Sequence, residues 1–587
     1  MRIYKSLIFG MGFLPYVLPI KLHPEASFWM EWTMLIAAIF IFAASFWIVL
    51  KEKNASNFDK LNIPVSIIPL SAIFIVILIQ YSIGWINNIN SALMAQFELL
   101  FCILFVIILY ALKEVGRKYT NSVIKFYAFG LIGALLLNLF AVFFEKIGIV
   151  FSLNEYRYVI SSNRLVGFLG QSNQLSIFAV LTWFSILYIH LKGCIKDIFL
   201  YILSLSVFVV MAAAGSRSGY LIFYVLSCYW MFWINKHKNN KVFLLLIAGC
   251  LANIIVAFCW NIYFTDNNLI VERSLAVGGY NSRIEIWADA FRLALRHPLL
   301  GVGFGDFAGA RWIELNGLLN DLNTHHAHNL ILHFLAEFGF LFSLVIFISI
   351  GYVLFPTVLL AIRRELSLNQ VYIASILFSI IGYSLLEYPL WYTYFLIPLC
   401  FMLSLLDQES FGIKFTFSKT IIFFAVIFSL LIFSFLTYNY IVIQSFYQRV
   451  VRETDNGSNV HLRTSDLKFM EISEEDAMRN SGLPLFKKYS NVMLTRTFDN
   501  SKNMIEFKLL LLRQAMLLDL NDETISRYLI HLVTYEQIYD ACSIYKKLDR
   551  NAALKSIVLK RLEDASEYSN EIKKFSDANC LGFYPSK

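Results

Sequence analysis

The stretch IFLYILSLSVFVVMAAAGSRSGYLIFYVLSCYWMFWI, Ile198–Ile234, decides the fold of this chain. It holds two apolar runs, 197–214 and 219–235, joined only by Gly215–Gly219. A helix crosses a bilayer with about 20 mostly apolar residues. Each run is therefore a crossing, and GSRSG is the tip of a membrane hairpin. Working outward, Lys192–Lys196 precedes the hairpin and Lys236–Lys241 follows it. Basic residues close its far end, while its tip carries Arg217 alone.

The whole chain reads the same way. Of 587 residues, 58% are hydrophobic, and the mean hydropathy is +0.62. Soluble domains hold about 45–50% apolar residues, because their interiors can hide no more. Thirteen spans are predicted, at 6–22, 30–50, 64–83, 92–112, 123–144, 172–190, 197–214, 219–235, 242–263, 329–355, 370–386, 389–406 and 419–443. The expected fold is all-α and polytopic, with about thirteen transmembrane helices, a long periplasmic loop and a helical periplasmic C-terminal tail. Residues 1–443 form the membrane core, including the loop 264–328, and 444–587 the tail. The first run reads as a signal anchor, since 6–20 contain no A-x-A-like cleavage site.

Orientation follows from the bias of Lys and Arg toward cytoplasmic loops. Arg2–Lys5, Lys51–Lys60, Lys113–Lys118, Lys192–Lys196, Lys236–Lys241, Arg363–Arg364 and Lys414–Lys419 each carry at least two basic residues. The alternate loops 84–91 and 387–388 carry none, and 22–29 none beyond Lys21 at its edge. The N-terminus is thus expected inside and the tail outside. The net charge of +8 is a topology signal and points to no nucleic acid. The tail shows helical apolar spacing, as in Leu509, Leu512, Ala515 and Met516, then Ile525, Leu529 and Leu532, then Ile538, Ala541, Ile544 and Leu548. It is expected to be a small stack of helical hairpins, resembling TPR-like repeats. Six of eight cysteines lie in or beside apolar runs, which suits small buried hydrophobes. The tail's Cys542 and Cys580 are candidates for a disulfide in an oxidising compartment.

Charge at a membrane edge is costly and marks function by default. Five polar clusters, all predicted on the outer side, meet that criterion. Arg217 in GSRSG either snorkels to headgroups or binds an anion. Arg283 in NSRIEIW, Asn281–Trp287, could pair with Glu285 or Asp289 on an exposed helix. THHAHNLILHFLAEFG, Thr324–Gly339, brings His326 and His328 to the start of a span. No carboxylate or cysteine set at ligand spacing accompanies them, so no metal is expected. A histidine with a near-neutral pKa suits general base work instead. Glu387 and Tyr388 lie in LEYPLWYTYF, Leu386–Phe395, where Glu387 has no evident partner. Arg164, Gln171 and Asn173 lie in NRLVGFLGQSNQ, Asn163–Gln174, and suit either sugar and phosphate contacts or helix capping.

At these residues the chain resembles the O-antigen ligase/Wzy superfamily of membrane glycosyltransferases. GSRS at Gly215–Ser218 is similar to the superfamily's arginine motif. RIEIW with HPLLGVGFG, Arg283–Gly305, is similar to its large periplasmic loop, and HAHN followed by EFG to its histidine signature. GFLGQSNQ, Gly167–Gln174, and LEYPL, Leu386–Leu390, resemble motifs of the PglL-type O-linked oligosaccharyltransferases, as does the long helical tail.

The resemblance implies an enzyme in the bacterial inner membrane whose active site faces the periplasm. It would transfer a preassembled glycan en bloc from undecaprenyl pyrophosphate to Ser or Thr hydroxyls of a periplasmic protein or pilin, without a cofactor. Arg217, Arg283 and Arg164 would hold the diphosphate, with Gln171, Asn173 and Tyr388 on diphosphate or glycan. His328, with His326 second, would be the base, and Glu387 would orient it or bind the acceptor. The alternatives are an O-antigen ligase acting on lipid A-core, a Wzy-type polymerase, and a polyprenol-glycan transporter. A transporter distributes polar groups near mid-membrane and toward both faces, and here they crowd one face.

Overall fold

The computed structural model describes residues 2–22, 25–52, 61–149, 153–154, 164–264, 277–315, 324–406, 409–415, 419–454, 505–518, 520–548, 552–566 and 575. Lipid offers no partner to backbone N–H and C=O groups, so a chain this apolar closes them into helices. Nine come first: α1 (Arg2–Phe13), α2 (Phe28–Glu52), α3 (Ile68–Ser82), α4 (Ile89–Val115), α5 (Arg117–Lys146), α6 (Ser172–Leu191), α7 (Asp197–Ala214), α8 (Arg217–Lys236) and α9 (Asn240–Phe264). The long loop holds α10 (Val277–Arg296) and α11 (Phe307–Glu314). The membrane core resumes with α12 (Leu330–Ile362), α13 (Leu368–Ser384), α14 (Thr393–Leu406) and α15 (Lys419–Thr454). The tail contributes α16 (Ile505–Leu518), α17 (Asp522–Thr534), α18 (Ile538–Lys547) and α19 (Ala552–Ser566).

Each of the thirteen predicted spans overlaps one of these helices. Among the described residues, nine helices are long and apolar enough to cross a membrane, and α13 and α14 are shorter apolar helices. The first span is shorter than expected: α1 stops at Phe13 and a single 3-10 turn follows at Leu14–Tyr16. Pro15 explains the stop, since it lacks an N–H and blocks the preceding turn.

Contacts between loops give a test of the alternation that does not depend on charge. At one end, Asn87 and Asn88 donate to Asp306, the Val166 and Gly167 amides to Glu145, and Tyr440 to the Glu25 carbonyl. At the other, Tyr119 donates to Glu52, Asn369 to Asn121, and Lys241 to Asp197. There β2 (Leu61–Pro64) also pairs antiparallel with β4 (Ser410–Phe415), while β1 (Ile20–Lys21) and β3 (Leu153–Asn154) pair at the first end. Every one of these contacts joins loops that the lysine and arginine alternation puts on the same side.

Helix α6 is buried on all faces from Gln174 to Ile189. It therefore runs through the middle of the bundle, and its first turn sits at the centre of the end that carries Asn87, Glu145 and Asp306. Helix α12 is broken at Gly339, where φ is 73°. The HPLLGVGFG segment occupies the break. Val302 N–H donates to Ala336 O at 2.8 Å and Gly303 N–H to Glu337 O at 3.1 Å, while Phe340 N–H donates to Pro298 O at 2.7 Å. The side chain of Gln80, from α3, adds a 2.8 Å bond to Glu337 O. The polar groups freed by the break are thus taken up inside protein. The approach requires Gly301, where a Cβ would fall 2.2 Å from the Glu337 carbonyl carbon.

The described part of the tail is helical, as its spacing predicts. Leu509, Met516, Ile525, Leu529, Leu532, Ala541, Ile544 and Leu548 form one core with Trp312 of α11. Lys547 fixes the junction, donating to the carbonyls of Trp312 and Ile313 at 3.2 and 3.3 Å. Cys542 is disulfide-bonded, whereas the other six described cysteines are free. Cys580 lies outside the described residues.

Candidate active site

Glu387 is the hub of the bundle end that the lysine and arginine alternation assigns to the outside, although the sequence offered it no partner. It follows α13 and is 4% exposed. Asn173 Nδ2 donates to its Oε1 at 2.8 Å, and Arg283 Nη2 donates to the same oxygen. Its Oε2 lies 3.0 Å from His328 Nδ1. Three segments separated by up to 214 residues therefore converge on one carboxylate. A carboxylate only accepts, so in the neutral imidazole the hydrogen sits on His328 Nδ1 and Nε2 is the atom left to act as base.

The local backbone explains the aim of His328. Its φ is 49°, in the left-handed region, which non-glycine residues occupy mainly where surrounding contacts hold them there. Asn329 caps α12 by accepting the Leu332 N–H at 3.0 Å. His333, one turn into that helix and 2% exposed, accepts the Ala327 N–H on Nδ1 at 3.3 Å. Its Nε2 lies 3.3 Å from Glu337 Oε2, and Glu337 Oε1 accepts the Gly305 N–H at 3.0 Å. The loop bearing His326 and His328 is held from below by this chain of contacts. Sequence reasoning passed over His333; its i,i+4 spacing to Glu337 was the available signal. His326 packs against Tyr388 and Trp391, with ring centroids 4.7 and 4.5 Å away.

The first turn of α6 supplies the amides. Gln171 is the N-cap residue but makes no side-chain cap bond. It donates instead to Tyr388 OH at 3.3 Å, and Asn173 bridges Glu387 and Arg164. Arg164 Nη2 donates to Asn173 Oδ1 at 2.6 Å and its Nε to Ala214 O at 2.8 Å. These side chains thus make tertiary contacts and not the capping bonds that the sequence also allowed. Burial pushes the Tyr388 phenol above its ordinary pKa, which keeps it a neutral donor.

Arg217 differs from the other two arginines. It is exposed at the first position of α8, and it has no hydrogen bond or ion pair among the described residues. Ser216 spends its hydroxyl on Tyr383, 3.2 Å away, and leaves the first amides of α8 uncapped. Gly219 lets α8 close on α6, since a Cβ there would collide with Ser176. The N-termini of α6 and α8 therefore lie side by side beneath Arg217 and Arg164. Helix N-termini favour anions through their free N–H groups and dipole. Arg283 does not make the local pairing its sequence suggested. Asp289 is taken by Arg311 at 3.0 Å and by Arg292 at 3.3 Å, and Arg283 reaches Glu387. No group of three or more His, Cys, Asp or Glu able to hold a metal occurs among the described residues.

Comparison with known proteins agrees with this architecture. The O-antigen ligase family profile matches residues 201–348, and the profile described as virulence factor membrane-bound polymerase, C-terminal, matches 371–548. Over 375 residues the chain is 24% identical to the ComP-specific O-oligosaccharyltransferase of Acinetobacter baylyi, covering 62% of this chain and 65% of the relative. Over 408 residues it is 24% identical to the general O-oligosaccharyltransferase of the same organism, covering 66% and 68%. The first match thus spans just under two thirds of that relative's length. These matches make the chain similar to the O-antigen ligase/Wzy superfamily and, within it, to proteins named as O-oligosaccharyltransferases.

Proposed function

We propose that the chain is a protein O-oligosaccharyltransferase of the inner membrane. It moves a preassembled glycan from undecaprenyl pyrophosphate to Ser or Thr hydroxyls of periplasmic proteins or pilin, on the periplasmic face. The observation that carries this reading is the His328–Glu387 pair, joined directly to Arg283 and through Asn173 to Arg164. The acceptor hydroxyl, placed about 3 Å from His328 Nε2, attacks the anomeric carbon as its proton passes to the imidazole. Glu387 stabilises the imidazolium that forms. The bond to the diphosphate oxygen breaks in the same step, with inversion at the sugar and no covalent enzyme intermediate. The leaving diphosphate gains negative charge, and guanidinium forks match its oxygens bidentately. Arg217 is free to make that contact. Arg164 and the free amides at the starts of α6 and α8 add positive potential at the same end of the bundle.

Ligation to lipid A-core or polymerisation of lipid-linked glycan would use the same donor. The two relatives named as O-oligosaccharyltransferases and the helical tail favour a protein acceptor. The test is deletion and complementation in a host that makes both glycoprotein and lipopolysaccharide. Loss and rescue of glycan on a periplasmic protein, with lipopolysaccharide unchanged, is the expected result. Loss of O-antigen from lipopolysaccharide with protein glycans intact would overturn it.

A further inference from the structure

Next to the histidines lies a cavity of about 820 Å³, inside the range of about 300–1,000 Å³ typical of ligand pockets. His325, His326, His328 and Tyr388 line its outer part. Arg164, Arg217 and Arg283 do not line it, and neither does any other Arg or Lys among the described residues. Its charged-group lining is instead four carboxyls: Glu25, Glu31, Glu98 and Glu337. Ser27 Oγ lies 3.0 Å from Glu25 Oε1 and 2.5 Å from Glu31 Oε1, and Glu31 also accepts the Thr393 backbone N–H. Glu98 makes no hydrogen bond or ion pair with any described residue. The Thr393 hydroxyl on the same wall, on a residue 8% exposed, is also without a hydrogen-bond partner. Glu98 and the Thr393 hydroxyl thus leave hydrogen-bonding capacity unmet among the described residues, in the same cavity as the candidate base. Leu517 and Leu518, at the end of α16, line it too, so the tail contributes a wall.

We infer that this cavity is the acceptor subsite, taking an extended protein segment that carries a basic residue beside the target Ser or Thr. The inference rests on the protein-transferase reading above. A diphosphate gains nothing among four carboxyls, whereas an entering cation pairs with them and favours their ionised form. A segment of chain in the cavity meets Leu517 and Leu518, which makes α16 a specificity element. Ile39 and Leu104 give the cavity an apolar wall that packs the aliphatic part of the segment, while Leu100 and Phe428 are exposed at its apolar side.

The test uses the full-length enzyme in detergent with purified lipid-linked donor and three peptides, whose acceptor serine is flanked by Lys, Ala or Asp. The expected KM rises in the order Lys, Ala, Asp, with a span on the order of tenfold for apposed charges out of bulk water. Glu98→Gln should compress that span without moving the donor KM. Leu518→Trp, at a half-buried position, narrows the mouth and should raise KM for all three peptides, again with the donor KM unmoved. Equal KM values for the three peptides in the wild type overturn the inference. So does a change in donor KM with an unaltered peptide order, the result expected if the polyprenyl tail fills the cavity. Transfer to lipid A-core with no peptide modified defeats the protein-acceptor reading itself.

Discussion

Replacing Glu387 by Gln probes the arrangement at its hub. The side chain keeps its shape, and its amide oxygen still accepts from Asn173 and Arg283. The atom facing His328 Nδ1, 3.0 Å away in the wild type, becomes an NH2 donor. Nδ1 must then accept, the hydrogen moves to Nε2, and the imidazole presents a donor to the incoming hydroxyl where a base is needed. A positioned general base contributes about a hundred- to ten-thousandfold, so the barrier should rise by about 3–5 kcal/mol. Folding suffers less. Arg283 is 32% exposed, and water offsets most of its lost ion pair, leaving about 1 kcal/mol or less. The assay is single-turnover transfer from purified donor to a serine peptide, with abundance of the variant in membranes measured in parallel. The expected result is a fall in kcat of at least about a hundredfold with normal abundance and a nearly unchanged donor KM. A kcat within about threefold of wild type, less than 1 kcal/mol on the barrier, would refute the tautomer argument.

His328→Ala should abolish transfer at normal abundance, and His326→Ala, which loses ring packing on Tyr388 and Trp391, should be milder; the same transfer assay ranks them. Arg217→Lys keeps the charge but loses the planar fork, so removal of one charge-assisted bond, about 1.5–3 kcal/mol, should slow transfer roughly ten- to hundredfold. A wild-type rate would leave only a headgroup anchor. Asp306 receives the amides of Asn87 and Asn88, and burial raises its pKa from 3.8 to about 6. A carboxyl raised in the folded state holds its proton more tightly there, so its stabilising effect is full below about pH 4 and is lost as pH rises through about 6. Melting of wild type against Asp306→Asn in detergent should therefore show the wild type losing relative stability between pH 4 and 7. A difference independent of pH would contradict the assignment.

The fold class was legible because the bilayer imposes one requirement on every segment: a long apolar run in lipid must close its own hydrogen bonds. Runs such as Ile198–Ala214 need no tertiary information to be read as helices. Pro15 was the place where that reading overreached, since apolarity says nothing of a missing N–H. The site was legible residue by residue but not as a network. Arg164, Gln171, Asn173, Arg283, His328, Glu387 and Tyr388 could each be singled out as polar groups at a membrane edge, while their pairing depends on helix packing across the chain. Arg283 shows the difference. Local spacing offered Asp289, but Arg311 holds that carboxylate from α11, and Arg283 is turned toward Glu387. Gln171 and Asn173 stand where a helix start invites capping, and only the position of Glu387 and Tyr388 above α6 gives their amides another use. The acid-lined cavity was not foreseen because Glu25, Glu31 and Glu98 come from a loop and two separate helices.

The most direct test of the account is reconstitution with defined components: the purified full-length protein, an undecaprenyl-pyrophosphate-linked glycan, a folded periplasmic acceptor protein and lipid A-core in one vesicle preparation. Mass spectrometry of all products after one donor turnover reads out where the glycan goes. The account predicts an intact glycan on Ser or Thr of the protein, with inverted anomeric configuration, release of undecaprenyl pyrophosphate, and no product with His328→Ala. Glycan appearing only on lipid A-core, or only as longer lipid-linked chains, would contradict it.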